Sequence, residues 1–285
     1  MTEAPQLHRT RQLKQKWPAY GPLLDFYLAV RQAQNASRPE VCISNDRAAM
    51  KTDEDAGLPD QILMGRNGFP IDIEASHRLF MDLCRVGKAA NEYFSAQVRQ
   101  IEECLSSDTL DLATLLARGC EGQAIKHAAD EVCLDEGILS FLVTNSVRPS
   151  IELARDELTF DFKAEIWKQV HCPVCGSLPT ISLLQGEPVK RFSLCSQCAF
   201  QWPVDRLSCS VCGDSDNEAR SYFHDEGEER HRIDVCDRCN HYIKTIDLSD
   251  VETADPCLED LATLHLDVIA VEKGYSRVVA NAWSE

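Results

Sequence analysis

The stretch HCPVCGSLP, residues 171–179, sets two cysteines three positions apart and puts a glycine directly after the second. The same spacing returns at Cys195/Cys198, Cys209/Cys212 and Cys236/Cys239. Nineteen residues lie between Cys175 and Cys195, ten between Cys198 and Cys209, and twenty-three between Cys212 and Cys236. The region is therefore two copies of one pattern: a pair, a hairpin's length of chain, and a second pair. Two sulfurs on a tight turn grip one side of an ion, and a facing turn supplies the other two. Each copy is expected to hold one tetrahedral metal ion, with Cys172, Cys175, Cys195 and Cys198 at one site and Cys209, Cys212, Cys236 and Cys239 at the other. Sequential pairing closes each site locally, although a crossed pairing fits the same spacing. Iron and zinc both suit four thiolates.

Glycine in CPVCG and CSVCG permits the positive φ that turns amide N–H groups toward the sulfurs. In CSQCA and CDRCN that place is taken by Ala199 and Asn240. Asparagine tolerates the left-handed region and alanine does so poorly, so a less regular knuckle is expected at Cys195. A thioredoxin-like redox pair would need one Cys-x-x-Cys beside a βαβ unit, and a cubane cluster would need tighter cysteine runs. Neither pattern is present. The other cysteines, at 42, 84, 104, 120, 133 and 257, are scattered, and Cys84, Cys104 and Cys133 read as small core residues. His171 and His241 abut the pairs but are not needed as ligands. The run HDEGEERH, 224–231, lacks the His-Glu-x-x-His order and reads as a solvated acidic loop.

Outside this region the pattern is helical. In a chain of 285 residues about two domains are expected. WPAYGPLLDFYLAVRQAQ places Leu23, Phe26, Tyr27 and Val30 on one stripe. Residues 36–72 read as a long connection. One long helix is expected from about Glu74 to Leu105, a short one from 107 to 119, and two more over 122–143 and 151–168, separated at Pro149. Short β-type runs (TISLL, RFSLC, FQWPV, RIDVC, YIKTIDL) fill the cysteine region. A last helix is expected to end near Lys273 and Gly274. The boundaries read as a helical domain at 1–168, metal modules at 169–208 and 209–250, and a C-terminal helix within 251–285 that packs back on the body.

The net charge is −17, and only HRTRQLKQK, 8–16, is basic. Residues 171–250 carry eight Lys and Arg against thirteen Asp and Glu. Such a surface repels phosphate backbones, which argues against a zinc-ribbon nucleic-acid binder. No apolar run is long enough to span a membrane, and the N-terminus lacks the apolar centre of a secretory signal. A cytoplasmic protein is expected, with its fourteen cysteines reduced or metal-bound. Phosphate loops, dinucleotide glycine patterns and nucleophile elbows are absent, so no catalytic and no organic-cofactor residues are assigned and an enzyme is not expected.

The run from CPVCG through LCSQCAFQW, RLSCSVCG and VCDRCNHYIK resembles the FdhE family of formate dehydrogenase accessory proteins. The order of the four pairs, Trp202 after the second, and Tyr242 and Lys244 after the fourth carry the likeness. The N-terminal WPAYGPLLDFYLAVRQAQ and the terminal LEDLATLHLDVIAVEKGYSR are similar as well. Ala199 and the acidic 36–65 connection depart from the pattern. The resemblance implies an α+β architecture: an N-terminal all-helical bundle, two rubredoxin-like (zinc-ribbon-type) modules binding iron or zinc, and a C-terminal helix. It also implies a role in maturing respiratory formate dehydrogenase. The partner would be the molybdenum-containing catalytic subunit, bound in the cytoplasm before twin-arginine export. Trp202, Arg206, Asp237, Tyr242 and Lys244, expected to be exposed around the knuckles, are the candidate contacts, with packing between the modules as the alternative for each of them and for Trp202 above all. If both ions are iron, rubredoxin-like electron transfer is a second reading.

Overall fold

The computed structural model describes residues 5–43, 62–158, 167, 169–216, 218–225, 228–250 and 254–279. The central part of the 36–72 connection, 44–61, lies outside the described residues. The chain divides into two compact units, one of residues 25–160 and the other of residues 1–24 with 161–284. The sequence-based boundary at 168 differs from this division, because the N-terminal 24 residues group with the cysteine region.

The helices begin with α1 (Pro5–Lys16) and α2 (Gly21–Ser37), and the division between units falls inside α2, after Leu24. The unit of residues 25–160 continues with α3 (Ile73–Ala90), α4 (Glu92–Ser106), α5 (Leu112–Ala117), α6 (Gly122–Glu131) and α7 (Glu136–Glu157). The single long helix expected over 74–105 is two helices. Asn91 is extended, with φ −162°, and its Oδ1 accepts from the Phe94 N–H at 2.8 Å, so it caps α4 instead of continuing α3. Leu79 and Leu83 of α3 and Phe94, Val98 and Ile101 of α4 are buried.

Pro149 does not break the chain where expected; it lies inside α7. A proline there frees the carbonyl four residues back, that of Asn145. Gln34 Nε2 donates to that carbonyl at 2.9 Å and to Asn145 Oδ1 at 3.1 Å, and both residues are buried. The helix survives because α2 supplies the missing donor from over a hundred residues away, a contact no local pattern reveals. Cys84 is buried, and burial pushes its thiol up to about 12. Cys133, expected in the core, is exposed at positive φ.

The other unit is built on one sheet: β1 (Pro179–Gln185), β2 (Lys190–Cys195), β3 (Gln201–Val204), β4 (Arg220–Phe223), β5 (His231–Cys236) and β6 (His241–Asp247). Its order is β3-β2-β1-β6-β5-β4. Within each half the strands pair antiparallel, β1 with β2 and β2 with β3, then β4 with β5 and β5 with β6. The halves join through a parallel pairing of β1 with β6, Ile181 opposite Lys244 and Leu184 opposite Asp247. The two modules therefore share one hydrogen-bonded sheet. The joint uses the first strand of one copy and the last of the other.

The C-terminal segment is two helices, α8 (Pro256–Leu261) and α9 (Leu264–Glu272), followed by a short strand β7 (Ser276–Arg277) along β6. Leu266 and Ala270 of α9 pack with Ile233, Val235 and Tyr242, while Ile181, Leu183, Leu194, Ile246 and Leu248 form a second cluster across the joint. Lys244 meets the break between α8 and α9. It is fully buried, and its Nζ donates to the carbonyls of Asp260 at 2.9 Å and Thr263 at 3.1 Å. The same carbonyls accept the N–H groups of Thr263 and Leu266 at 3.2 and 3.1 Å.

α1 is tied to the same unit by charge. Arg9 holds Glu259 through Nε at 2.5 Å and Nη2 at 2.8 Å, and Lys16 pairs with Glu228. Buried His231 lies between the two carboxylates, 3.1 Å from Glu228 and 2.8 Å from Glu259. The basic run 8–16 and the acidic run 224–231, each a surface feature by sequence, thus meet in part, and Glu228 and His231 of the latter are buried. Burial opposes ionisation of Glu228, but His231 and Lys16 hold its carboxyl down at about 2. Burial likewise opposes ionisation of Glu259, and Arg9 and His231 hold it below the usual range. Both folded-state values lie below those of the unfolded chain, so this stabilisation is complete above about pH 4.5 and is lost as pH falls toward 2. Acid titration followed by circular dichroism is expected to show the loss in that window, and Glu228→Gln is expected to weaken the pH dependence.

Candidate metal centres

Each knuckle forms where the sequence places a residue able to turn. Gly176 and Gly213 have φ of 74° and 76°. The Cys172 N–H reaches the Ser177 carbonyl at 2.9 Å, and the Cys209 N–H reaches that of Asp214 at 2.7 Å. Ala199 and Asn240 follow the same path at φ 54° and 56°. The Cys195 knuckle is thus as regular as the others, and the expected irregularity is absent. Ala199 instead carries the steric cost of the left-handed region. Ala199→Gly is expected to stabilise the fold by about 0.5–1 kcal/mol, read as a higher denaturation midpoint at unchanged metal content.

The hairpins then bring the pairs together in sequential order. At the first site, Cys172 Sγ is 3.6 Å from Cys198, and Cys175 Sγ is 3.4 Å from Cys195 and 3.7 Å from Cys198. At the second, Cys209 to Cys239 and Cys212 to Cys236 are each 3.9 Å. Within each foursome all sulfurs lie within 4.8 Å of one another. Four sulfurs bound at about 2.3 Å to a central ion stand about 3.8 Å apart at the corners of a tetrahedron. The donor set and its spacing therefore fit a tetrathiolate ion at both places. A disulfide needs sulfurs about 2.05 Å apart, and none of the fourteen cysteines forms one.

The electrostatics ask for a cation. At the first site Cys175 is pulled far down by the hydrogen bonds of the Cys172, Cys195 and Cys198 thiols, while burial pushes Cys172 up. One thiolate can be shared by three thiols. Four buried thiolates need a positive charge among them. At the second site burial opposes ionisation of Cys236, but the backbone N–H groups of Cys239 and Arg238 hold its thiol down, as the knuckle geometry anticipates. His171 and His241 belong to neither foursome.

The two sites differ in exposure. All four cysteines of the first are buried, whereas at the second Cys212 is exposed and Cys239 half-buried. Trp167 Nε1 donates to the carbonyl of His171, the residue before Cys172, at 3.0 Å.

The candidate contact residues separate into two groups. Arg206 and Asp237 are exposed. Trp202, Tyr242 and Lys244 are buried, at 0, 2 and 0% exposure, and their expected place at the surface is corrected. Trp202 sits opposite Ser193 on β3. Tyr242 donates to Asp267 Oδ1 at 2.9 Å. Lys244 lies 2.8 Å from Asp260 Oδ1 and 2.6 Å from Asp267 Oδ2, and Arg277 completes the group at 2.8 Å from Asp260 and 3.0 Å from Asp267. Arg277 also reaches the Thr180 carbonyl on β1 at 3.3 Å. Two cations and two carboxylates thus pin the C-terminal segment across the joint between modules. Burial opposes its charge, yet Lys244 and Arg277 hold Asp260 below its usual range. The sequence marks Tyr242 and Lys244 as special, but their acidic partners carry no motif and escape a reading of sequence alone.

The fold and the sulfurs define a class: a helical unit joined to a sheet that carries two tandem tetrathiolate-type metal modules. The domain family described as FdhE, central domain, matches residues 171–206, and that described as FdhE, C-terminal domain, matches residues 207–283. Residues 171–283 thus carry the two FdhE domains in order. A "Protein FdhE homolog" of Aquifex aeolicus (strain VF5) is 27% identical over 282 residues, covering 96% of this chain and 93% of that one. Another, of Shewanella baltica (strain OS185), is 33% identical over 119 residues, 41% of this chain and 39% of its own. The crystal structure of the FdhE protein from Pseudomonas aeruginosa has the same fold, with a TM-score of 0.66 at 21% identity over 97% of this chain and 92% of that one. Among the described residues, no helix is long and apolar enough to cross a membrane.

Proposed function

We propose that this protein is an accessory factor in the maturation of respiratory formate dehydrogenase. It binds the molybdenum-containing catalytic subunit in the cytoplasm, before that subunit leaves by the twin-arginine route, and turns over no substrate of its own. The match of residues 171–283 to the two FdhE domains is the observation that carries the reading. Each four-cysteine cluster holds one iron or zinc ion, which when bound offsets part of the thiolate charge and fixes the hairpins. A cross-linked sheet of this kind presents its surface residues, Arg206 and Asp237 among them, at little ordering cost on binding. The test is co-purification from the native host. The tagged protein is expected to retain the precursor of the catalytic subunit, and a strain lacking this protein is expected to lose formate dehydrogenase activity. Normal maturation in that strain would refute the reading.

The exposure of Cys212 favours a second reading in which the second site exchanges electrons with a partner, since an ion close to solvent is reachable by one. Visible absorption separates the cases: ferric tetrathiolate is coloured, and zinc is colourless.

A further inference from the structure

A cavity of about 300 Å³ opens beside the second metal centre, lined by residues of the loops at 206–211 and of β2, β4, β5 and β6. Four arginines face it: Arg191, Arg206, Arg220 and Arg232. They are half of the eight Lys and Arg in residues 171–250 of a chain with a net charge of −17. One carboxylate, Asp234, lines the same space. Its Oδ2 is 3.2 Å from Arg191 Nη2 and accepts from Thr245 Oγ1 at 2.6 Å, and its Oδ1 is 2.9 Å from Arg232 Nε. Asp234 is thus already occupied; set against it and the Cys209 and Cys236 thiolates, the four arginines leave a formal excess of one positive charge.

Two features set this apart from a solvated basic patch. Arg191 is buried, with its side chain 5% exposed, and its Nε is buried with no hydrogen-bond partner. Asp234 and the Ser208 carbonyl, 3.1 Å from Nη1, satisfy one edge of this guanidinium, and the buried Nε that they leave unpaired costs free energy until an acceptor meets it. The wall adds an apolar part, Leu207, Val211, Tyr222, Val235 and Ile243, beside the polar Ser208, Ser210, Ser221 and His241. Leu207 and Tyr222 are 59% and 61% exposed, more than packing explains, and Arg232 stacks on the Tyr222 ring at 4.9 Å. A few convergent charged donors in a hollow with an apolar side describe a ligand site.

We infer that this cavity binds a small organic anion, a carboxylate or phosphate monoester on an apolar body, with Arg191, Arg206 and Arg220 on the anion and Leu207 and Tyr222 on the body. The inference does not rest on the accessory role; either can fail alone. The competing role for these arginines is to neutralise the thiolates of Cys209 and Cys236, which share the wall.

Calorimetric titration of the whole, metal-loaded chain decides between them. Phenyl phosphate and phenylacetate serve as anionic probes and benzyl alcohol as the neutral one. One-to-one binding of at least one anion is expected, with benzyl alcohol silent. The preferred anion identifies the source as phosphate or carboxylate. Arg206→Gln, at an exposed position that leaves folding intact, and Arg220→Gln are each expected to weaken binding about tenfold or more at unchanged metal content. No anion binding, equal binding of benzyl alcohol, unchanged affinity in both variants, or loss of metal from the variants would each overturn the site.

Discussion

Cys175→Ser is expected to empty the first metal centre and unfold the unit formed by residues 1–24 and 161–284. Cys175 is fully buried, and its sulfur lies within 3.7 Å of two other ligands. A serine hydroxyl is a poor zinc or iron ligand, so the remaining three thiols would be left buried around a weakened charge. Structural zinc sites contribute about 10–16 kcal/mol of apparent binding energy, which equals or exceeds the net stability of a whole domain at about 5–15 kcal/mol. Loss at this site should therefore reach the entire sheet, because β1 and β2 rise directly from its knuckles and β1 carries the joint to β6. Metal content and far-ultraviolet circular dichroism read the result together. Cys212→Ser, at the exposed corner of the second site, is the comparison. It is expected to lower metal content toward one ion per chain while leaving more of the sheet intact. A Cys175→Ser protein with two ions and a wild-type denaturation midpoint would remove the physical basis for metal-dependent folding.

Lys244→Met is expected to cost about 3–5 kcal/mol without loss of metal. The Lys244 ammonium is fully buried and meets two carboxylates and two carbonyls at 2.6–3.1 Å. Its removal takes one of the two cations that Asp260 and Asp267 share, Arg277 being the other, and an uncompensated buried charge is the expensive outcome. The double variant Lys244→Met with Asp260→Asn is expected to recover part of the loss, since it restores neutrality. Urea denaturation of the three proteins measures this, and an unchanged midpoint in the single variant would show that the network contributes nothing. The contrast with Cys175→Ser is informative: one change acts through the ion, the other through the closure of the C-terminal segment.

How much of this is legible in the sequence depends on the range of the interactions. The cysteine pairs, their order and the hairpin between them are local, and a spacing of two residues within a pair allows few geometries. Helix existence follows from periodicity, but helix ends do not. Asn91 ends one helix by capping the next, and Pro149 is tolerated because Gln34 supplies a donor to the carbonyl it frees. The left-handed turn at Ala199 looks like a weakness position by position, whereas the ladder and the sulfurs on either side impose it.

By itself the sequence determined that eight cysteines fall into two foursomes, that the flanking chain is helical, and which family it resembles. Those facts rest on near-neighbour geometry and on residue chemistry that needs no partner. Only the tertiary structure decided that the two modules fuse through β1 and β6, that Trp202, Tyr242 and Lys244 point inward, that the N-terminal basic run closes on Glu228 and Glu259, and that four arginines converge on one hollow. Each of these joins residues far apart along the chain, and charge or polarity read position by position does not tell whether a side chain will meet water or a counter-ion.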